Sequence, residues 1–240
     1  MKILHTGDLH IGSFPGPTDE NGRNLRLSGI EECLHRLVEI AEEEKPDIAV
    51  VAGDVFHAAR VWSDRGLAEN RIAIDFIEDL SRICPVTVMR GTPNHDSEQQ
   101  MESLKRYFAE DRSVEIVTEP QMSTCTTRYG ETVNIACVPG FDRGFYSAKH
   151  PGLSKEEETE VFTRAIADTI IGLKAMAPEG NANILVSHFT IAGANMESGQ
   201  TAFFGQYEPI VYPDTLETAG YDLNLFGHIH RPQAVEFTPE

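Results

Sequence analysis

Apolar residues in this chain follow two rhythms. Continuous runs occur in "KILHT" (2–6), "DIAVVAGD" (47–54), "CPVTVMRG" (84–91), "NILVSH" (183–188) and "DLNLFGH" (222–228), and each reads as a buried strand. Between them, apolar positions recur at three- and four-residue intervals. Leu27, Ile30, Leu34, Leu37, Val38 and Ala41 predict a helix from near Leu25 to Glu44, with Pro46 ending it. Further helices are predicted over 64–82, over "DSEQQMESLKRYFA" (96–109) with Asp96 or Ser97 as N-cap, and over about 155–176. From 113 to 138 the texture changes to the short strands "SVEIV", "STCTTRY" and "TVNIACV" with turns between them, which predicts antiparallel pairing. The stretch between residues 188 and 222 reads as irregular. Strand–helix alternation with an antiparallel insertion predicts an α/β protein whose helices cover a central pair of sheets. There is no internal repeat or long linker, so residues 1–240 read as a single domain.

Composition narrows the class. The chain has 240 residues, 40% hydrophobic and 24% charged, an ordinary globular balance. Its longest apolar runs are far too short to cross a bilayer, so no membrane association is expected. In "MKILHTGDLH", His5 and Asp8 interrupt what would be the apolar core of a signal peptide. Four widely spaced cysteines, with no C-x-x-C pair, read as reduced thiols of a cytoplasmic protein and exclude a zinc knuckle or a disulfide framework. The net charge of −18 argues against a broad nucleic-acid-binding face. Much of that charge lies in "EEEK" (42–45) and "KEEETE" (155–160), which read as solvated helix faces. Any attraction for nucleic acid must then come from a local basic patch, a bound cation or a partner.

The predicted strands share one property: each ends in groups able to bind a metal or a phosphate. The first ends in "GDLH" (Asp8, His10), the second in "AGDVFH" (Asp54, His57) and the third in "NHD" (Asn94, His95, Asp96). The later two end in "SH" (His188) and "GHIH" (His228, His230). Six of the nine histidines fall at these ends, while His5, His35 and His150 read as structural or surface residues. Asn, Asp, Gly and Pro make turns anywhere, so any one of these motifs is weak. Five together, each where a strand should stop, are not turn chemistry, because α/β sheets bind ligands outside the carboxyl ends of their strands. The donors are nitrogen and oxygen without cysteine, which disfavours structural zinc and suits manganese, iron or catalytic zinc. They are too many for one ion, so two divalent ions bridged by a carboxylate are expected. Two such ions carry +4 against −2 from Asp8 and Asp54, which leaves a site that attracts phosphate and suits phosphate-ester hydrolysis.

The order D-x-H, GD-x-x-H, NHD, SH, GH-x-H resembles the calcineurin-like metallophosphoesterases along nearly the whole chain. Within them, "GDLHIG", "KPDIAVVAGDVFH" and "GHIHRPQ" look most like the SbcD-type nuclease subunits of double-strand-break repair. The resemblance implies a four-layer αββα fold, a two-sheet sandwich flanked by helices, holding two Mn2+ ions. It implies one ion on Asp8, His10, Asp54 and His230, and the other on Asp54, Asn94, His188 and His228. His95 is implied as the group that protonates the leaving oxygen or stabilises the transition state, Asp96 as the orienter of its ring, and His57 as a phosphate neighbour. It also implies DNA as substrate, a homodimer, and an SMC-like ATPase partner (SbcC-type) docked through a C-terminal tail. That tail and a DNA-recognising capping domain are not found in these 240 residues. A dimer could align Arg23, Arg26, Arg60, Arg65 and Arg71 against DNA despite the acidic balance.

The family writes Gly-Asn-His-Asp where this chain has Thr92 and Pro93 between Gly91 and Asn94. Pro93 restricts Thr92 to an extended conformation, so the extra residues are expected to bulge and still deliver Asn94 to the metal. Three functions follow as alternatives. The first is a manganese-dependent DNA exonuclease and single-strand endonuclease. The second is a phosphodiesterase or phosphatase for small or nucleotide substrates. The third is a non-catalytic dimeric component of a repair complex, suggested by the largely apolar helix "LAENRIAIDFIEDL".

Overall fold

The computed structural model describes residues 1–59, 64–141, 143–196 and 209–235. Two four-stranded sheets face each other. The first has the order β1 (Ile3–Thr6), β2 (Ile48–Ala52), β3 (Val86–Met89), β4 (Val114–Val117), and every neighbouring pair is parallel. In the second, β5 (Gln121–Thr126) pairs antiparallel with β6 (Thr132–Val138), which runs parallel to β7 (Ala182–Ser187). The strand β10 (Leu223–Phe226) closes that sheet beside β7, also in parallel. Between them in sequence, β8 (Thr190–Ile191) and β9 (Ile210–Val211) form a small parallel pair.

Helices α1 (Leu25–Glu44), α2 (Asp64–Ser81) and α3 (Glu98–Tyr107) belong to the first half of the chain. The second half carries α4 (Arg143–Lys149), α5 (Lys155–Ala175) and α6 (Pro213–Ala219). Strand alternation divides the apolar side chains among three cores. Ala49, Val51, Val86 and Val88 face a core shared with Leu34, Phe76 and Leu104 of the first three helices. Their strand neighbours Ile48, Val50, Ala52 and Met89 point the other way, against Ile135, Cys137, Ile184 and Val186 of the second sheet. Ala136 and Leu185 turn outward again onto Ile166, Ile170 and Leu216 of α5 and α6. Helix, sheet, sheet and helix thus form four layers, because a strand buried on both faces supplies each face with alternate residues.

The element bounds follow the predicted ones closely, and local chemistry explains them. Asn24 caps α1 by accepting from the Leu27 N–H, and Lys45 ends it in a left-handed conformation. Ser97, not Asp96, caps α3 through a capping box with Gln100. One expectation is corrected. β4 joins β3 in parallel, so the antiparallel region contracts to the β5–β6 hairpin. The β8–β9 pair and α6 fall where an irregular path was expected. Within α2, Ile72, Ala73, Phe76, Ile77 and Leu80 are all buried in the first core, while Leu67 stays 65% exposed. Most of the apolar side chains of that helix thus serve packing within the chain.

Truncating a side chain between the two sheets should weaken both halves together. Ile135, with 0% of its surface exposed, is such a position. Ile135→Ala is expected to cost about 2–5 kcal/mol, read as a lowered urea midpoint with an unchanged slope.

Candidate metal centre

Parallel pairing in register brings the strand ends together. Thr6 of β1 lies opposite Val51, and Val51 lies opposite Val88, so the loops leaving β1, β2 and β3 emerge side by side. Ser187 of β7 lies opposite Phe226 of β10, which delivers the His188 and His228 loops to the same edge. Backbone hydrogen bonds join these loops beyond the strands: Asp8 N–H to Gly53 C=O at 2.9 Å, and His10 N–H to Asp54 C=O at 3.0 Å.

Among the described residues, five other than glycine have positive φ. Lys45 is a helix cap, and the remaining four are Asp8 (52°), His10 (45°), Asp54 (49°) and His228 (83°). Each such residue costs about 1–3 kcal/mol when the surroundings force it, so this strain is concentrated at one place. It turns the side chains inward where an ordinary extended exit would carry them past one another. Close backbone approach serves the same end. A Cβ on Gly91 would lie 2.1 Å from Asp54 Oδ1, and one on Gly227 would lie 2.1 Å from the Ala52 carbonyl oxygen. Neither position has room for any other residue.

Three groups of donors result, each with its ligand atoms within 4.8 Å of one another: Asp8–His10–His230, Asp54–His188–His228 and His10–His57–His95. Asp54 lies among all of them. Its Oδ1 is 3.3 Å from His188 Nε2, and its Oδ2 is 3.9 Å from both His10 Nε2 and His95 Nε2. Asp8 accepts the His228 N–H on both oxygens, at 3.1 and 2.9 Å, and its Oδ1 is 3.5 Å from His230 Nε2. Of the residues singled out in the sequence, Asp8, His10, Asp54, His57, His95, His188, His228 and His230 are therefore brought together.

Asn94 and Asp96 are placed differently. Asn94 is exposed, and the contact with Asp54 is made by Thr92, whose N–H and hydroxyl both donate to Oδ1 at 2.6 and 2.9 Å. At the Thr92–Pro93 insertion, Thr92 thus reaches the buried carboxylate. Asp96 is fully buried and accepts the N–H groups of Gly91 (2.7 Å), Phe56 (2.9 Å) and Val55 (3.2 Å). It ties the β2 and β3 loops together, and the His95 ring is instead oriented by the His57 carbonyl oxygen, 2.6 Å from Nδ1. That corrects the expectation that Asp96 orients His95, since its carboxylate is already occupied by backbone donors.

Electrostatics follow from this crowding. Burial disfavours charge on Asp54, but His188, His95 and the Thr92 N–H outweigh it and hold the carboxyl below the usual range. Burial likewise opposes charge on His188, yet Asp54 and Asp8 prevail and raise its pKa. At His10 burial wins, and its pKa falls to about 4. For Asp96, burial and then the Asp54 charge push the pKa up to about 6 against three stabilising N–H groups.

The donor set fits divalent cations. Nδ1 of His188 meets the Ala52 carbonyl oxygen at 2.6 Å, so that nitrogen carries the proton. Its buried Nε2 stands 3.3 Å from Asp54 Oδ1, where a cation can take the place of the proton that the carboxylate draws onto the ring. Nε2 of His10 and Nε2 of His230 face each other at 3.1 Å beside the two carboxylates, an arrangement that a shared cation stabilises.

Two neighbours of the site carried no motif signal. Phe14 stacks on the His57 ring with centroids 3.9 Å apart, and Arg26 lies 4.0 Å over the Phe14 ring. Arg23 pairs with Glu31, and Arg71 lies 3.7 Å from Asp75. Arg60 and the side chain of Arg65 lie outside the described residues.

Comparison with known proteins gives a consistent family. The profile of a family described as calcineurin-like phosphoesterase matches residues 1–232. The chain is 24% identical over 238 residues to the SbcD component of the nuclease SbcCD from Staphylococcus epidermidis, and 24% identical over 244 residues to its counterpart from Staphylococcus saprophyticus. Each alignment spans 98% of this chain but only 58% of the relative, so the chain covers little more than half the length of either. Among solved structures, Yfce, a phosphoesterase from E. coli, aligns over 89% of this chain and 79% of its own, at 16% identity and a TM-score of 0.35. That likeness is too loose to carry an argument.

A raised His188 pKa has a consequence for cation binding. The ligand must be neutral, so a cation entering beside Asp54 displaces a proton. Affinity should therefore keep rising with pH beyond 7.5, where a histidine near its ordinary value of about 6.5 would have levelled off. Isothermal titration with Mn2+ in buffers of different ionisation enthalpy checks both the rise and the released proton.

Proposed function

The chain belongs to the calcineurin-like phosphoesterase family, and we propose that it hydrolyses phosphodiesters of DNA with two divalent cations, Mn2+ in particular. The observation that carries the reading is the placement of Asp54, whose two oxygens face different histidines and so can serve two cations at once. In this reading one cation is held by Asp8, His10, His230 and Asp54, the other by Asp54, His188 and His228. Bound cations would supply a nucleophile at neutral pH and neutralise charge on the phosphate.

The chain's own groups divide the remaining work. His95, with Nδ1 tied to the His57 carbonyl, directs Nε2 into the site and can deliver a proton to the leaving oxygen there. His57, held against Phe14, lies beside His10 and His95 with centroids 6.0 Å away, where it can position the phosphate. Asp96 keeps the two loops in register and so fixes Asp54 and His95 together. Similarity to the SbcD component of the SbcCD nuclease supports a nucleic-acid substrate; exonuclease and single-strand endonuclease activity on DNA and a role in double-strand-break repair are part of the proposal. Homodimerisation and an SMC-like ATPase partner belong to the same reading.

The charge of −18 favours a second reading, a phosphodiesterase for small or nucleotide substrates, which need no long basic track. Rates on end-labelled linear DNA and on a bis-aryl phosphodiester, both with Mn2+, separate the two. In either case His95→Ala is expected to slow cleavage about 10²–10⁴-fold while Mn2+ content stays at two ions per chain. Cleavage at the unsubstituted rate would remove His95 from the proposed chemistry.

A further inference from the structure

We infer that Thr92, not Asn94, supplies the uncharged oxygen at the Asp54–His188–His228 group and holds Asp54 in place for the cation there. The inference rests on the two-cation reading above and concerns which residue of the β3 loop completes it. Three observations carry it. Thr92 directly follows Gly91, whose missing side chain lets the loop press onto Asp54. The Thr92 hydroxyl then lies 2.9 Å from Asp54 Oδ1, the same oxygen that stands 3.3 Å from His188 Nε2. Adjacent ligands of an octahedral cation with bonds of about 2.1 Å are about 3.0 Å apart, so the hydroxyl–carboxylate and carboxylate–imidazole pairs each stand near the spacing of neighbouring ligands.

Beyond Thr92 the loop folds back on itself. The Thr92 carbonyl oxygen accepts the N–H groups of His95 (3.0 Å) and Asp96 (2.8 Å), closing a tight turn. Asn94 in that turn is exposed, and its backbone carbonyl oxygen accepts the Ala59 N–H at 3.2 Å. The turn brings His95 back to the site, with its Nε2 3.9 Å from Asp54 Oδ2. Thr92 also has a positioning role, since its N–H bond to Oδ1 at 2.6 Å stays when the hydroxyl is removed and only the second bond is lost.

Titration of the metal-free chain with Mn2+, followed by calorimetry and by electron paramagnetic resonance of the free ion, tests this without reference to turnover. Thr92→Val, which keeps shape and N–H but removes the hydroxyl, should weaken one of two bound ions about tenfold or more. Thr92→Ser should restore it, and Asn94→Ala should leave both affinities within about twofold of the unsubstituted chain. Two ions bound normally by Thr92→Val, or a tenfold loss in Asn94→Ala, would overturn the inference alone. An unsubstituted chain that bound no Mn2+ would overturn the two-cation reading and this inference with it. Should Thr92→Val fail to fold by its far-ultraviolet circular dichroism, the Asn94→Ala result decides.

Discussion

A carboxylate charge sealed from water is costly unless it is paired and hydrogen-bonded, and Asp54 is such a charge. Its side chain is 4% exposed, yet two Thr92 donors reach one oxygen and imidazoles stand near both. Much of the surrounding structure can be derived from the need to satisfy it. Gly91 must lack a side chain for the β3 loop to reach it, and the residue itself must take a left-handed backbone conformation to point inward. His188 must be locked by the Ala52 carbonyl so that its other nitrogen faces the carboxylate. The first sheet supplies the acid and the second supplies a base, so the apolar layer between the sheets is what sets their distance.

The strained backbone at Asp8, His10, Asp54 and His228 belongs to the same account. No regular strand exit would put four side chains from three loops at one point. The fold sustains the strain because the strands beneath are largely buried and the loops are cross-linked, with Asp96 joining the β2 and β3 loops and Asp8 joining the β1 and β10 loops. Asp96 thereby acts as a structural counterpart of Asp54, a second buried carboxylate whose hydrogen-bond donors are backbone amides.

Much of this was legible in the sequence. Helix α1 and strand β6 match their predicted spans, because three-to-four-residue periodicity and short apolar runs report burial directly. The histidines and aspartates at strand ends were legible because parallel strands must place their carboxyl ends together. Three features were hidden for physical reasons. Whether β4 pairs parallel or antiparallel depends on which sheet claims it, and "SVEIV" fits either. Thr92 looked like a turn residue, since its importance arises only when β2 and β3 bring Gly91 against Asp54. Asp96 carried the signal of a helix cap or a catalytic partner, and only the fold reveals the amides that it accepts. Helix α6, by contrast, did have readable signals: Pro213 at its first position and Gly220 in a left-handed cap.

The central claim is that one buried aspartate, fed by loops of both sheets, is shared by two cations. Anomalous scattering at the manganese edge from crystals grown with Mn2+ tests it most directly. The account predicts two peaks, one beside Asp8, His10 and His230 and one beside His188 and His228, with Asp54 touching both. A single peak, or two peaks of which Asp54 touches only one, would contradict it.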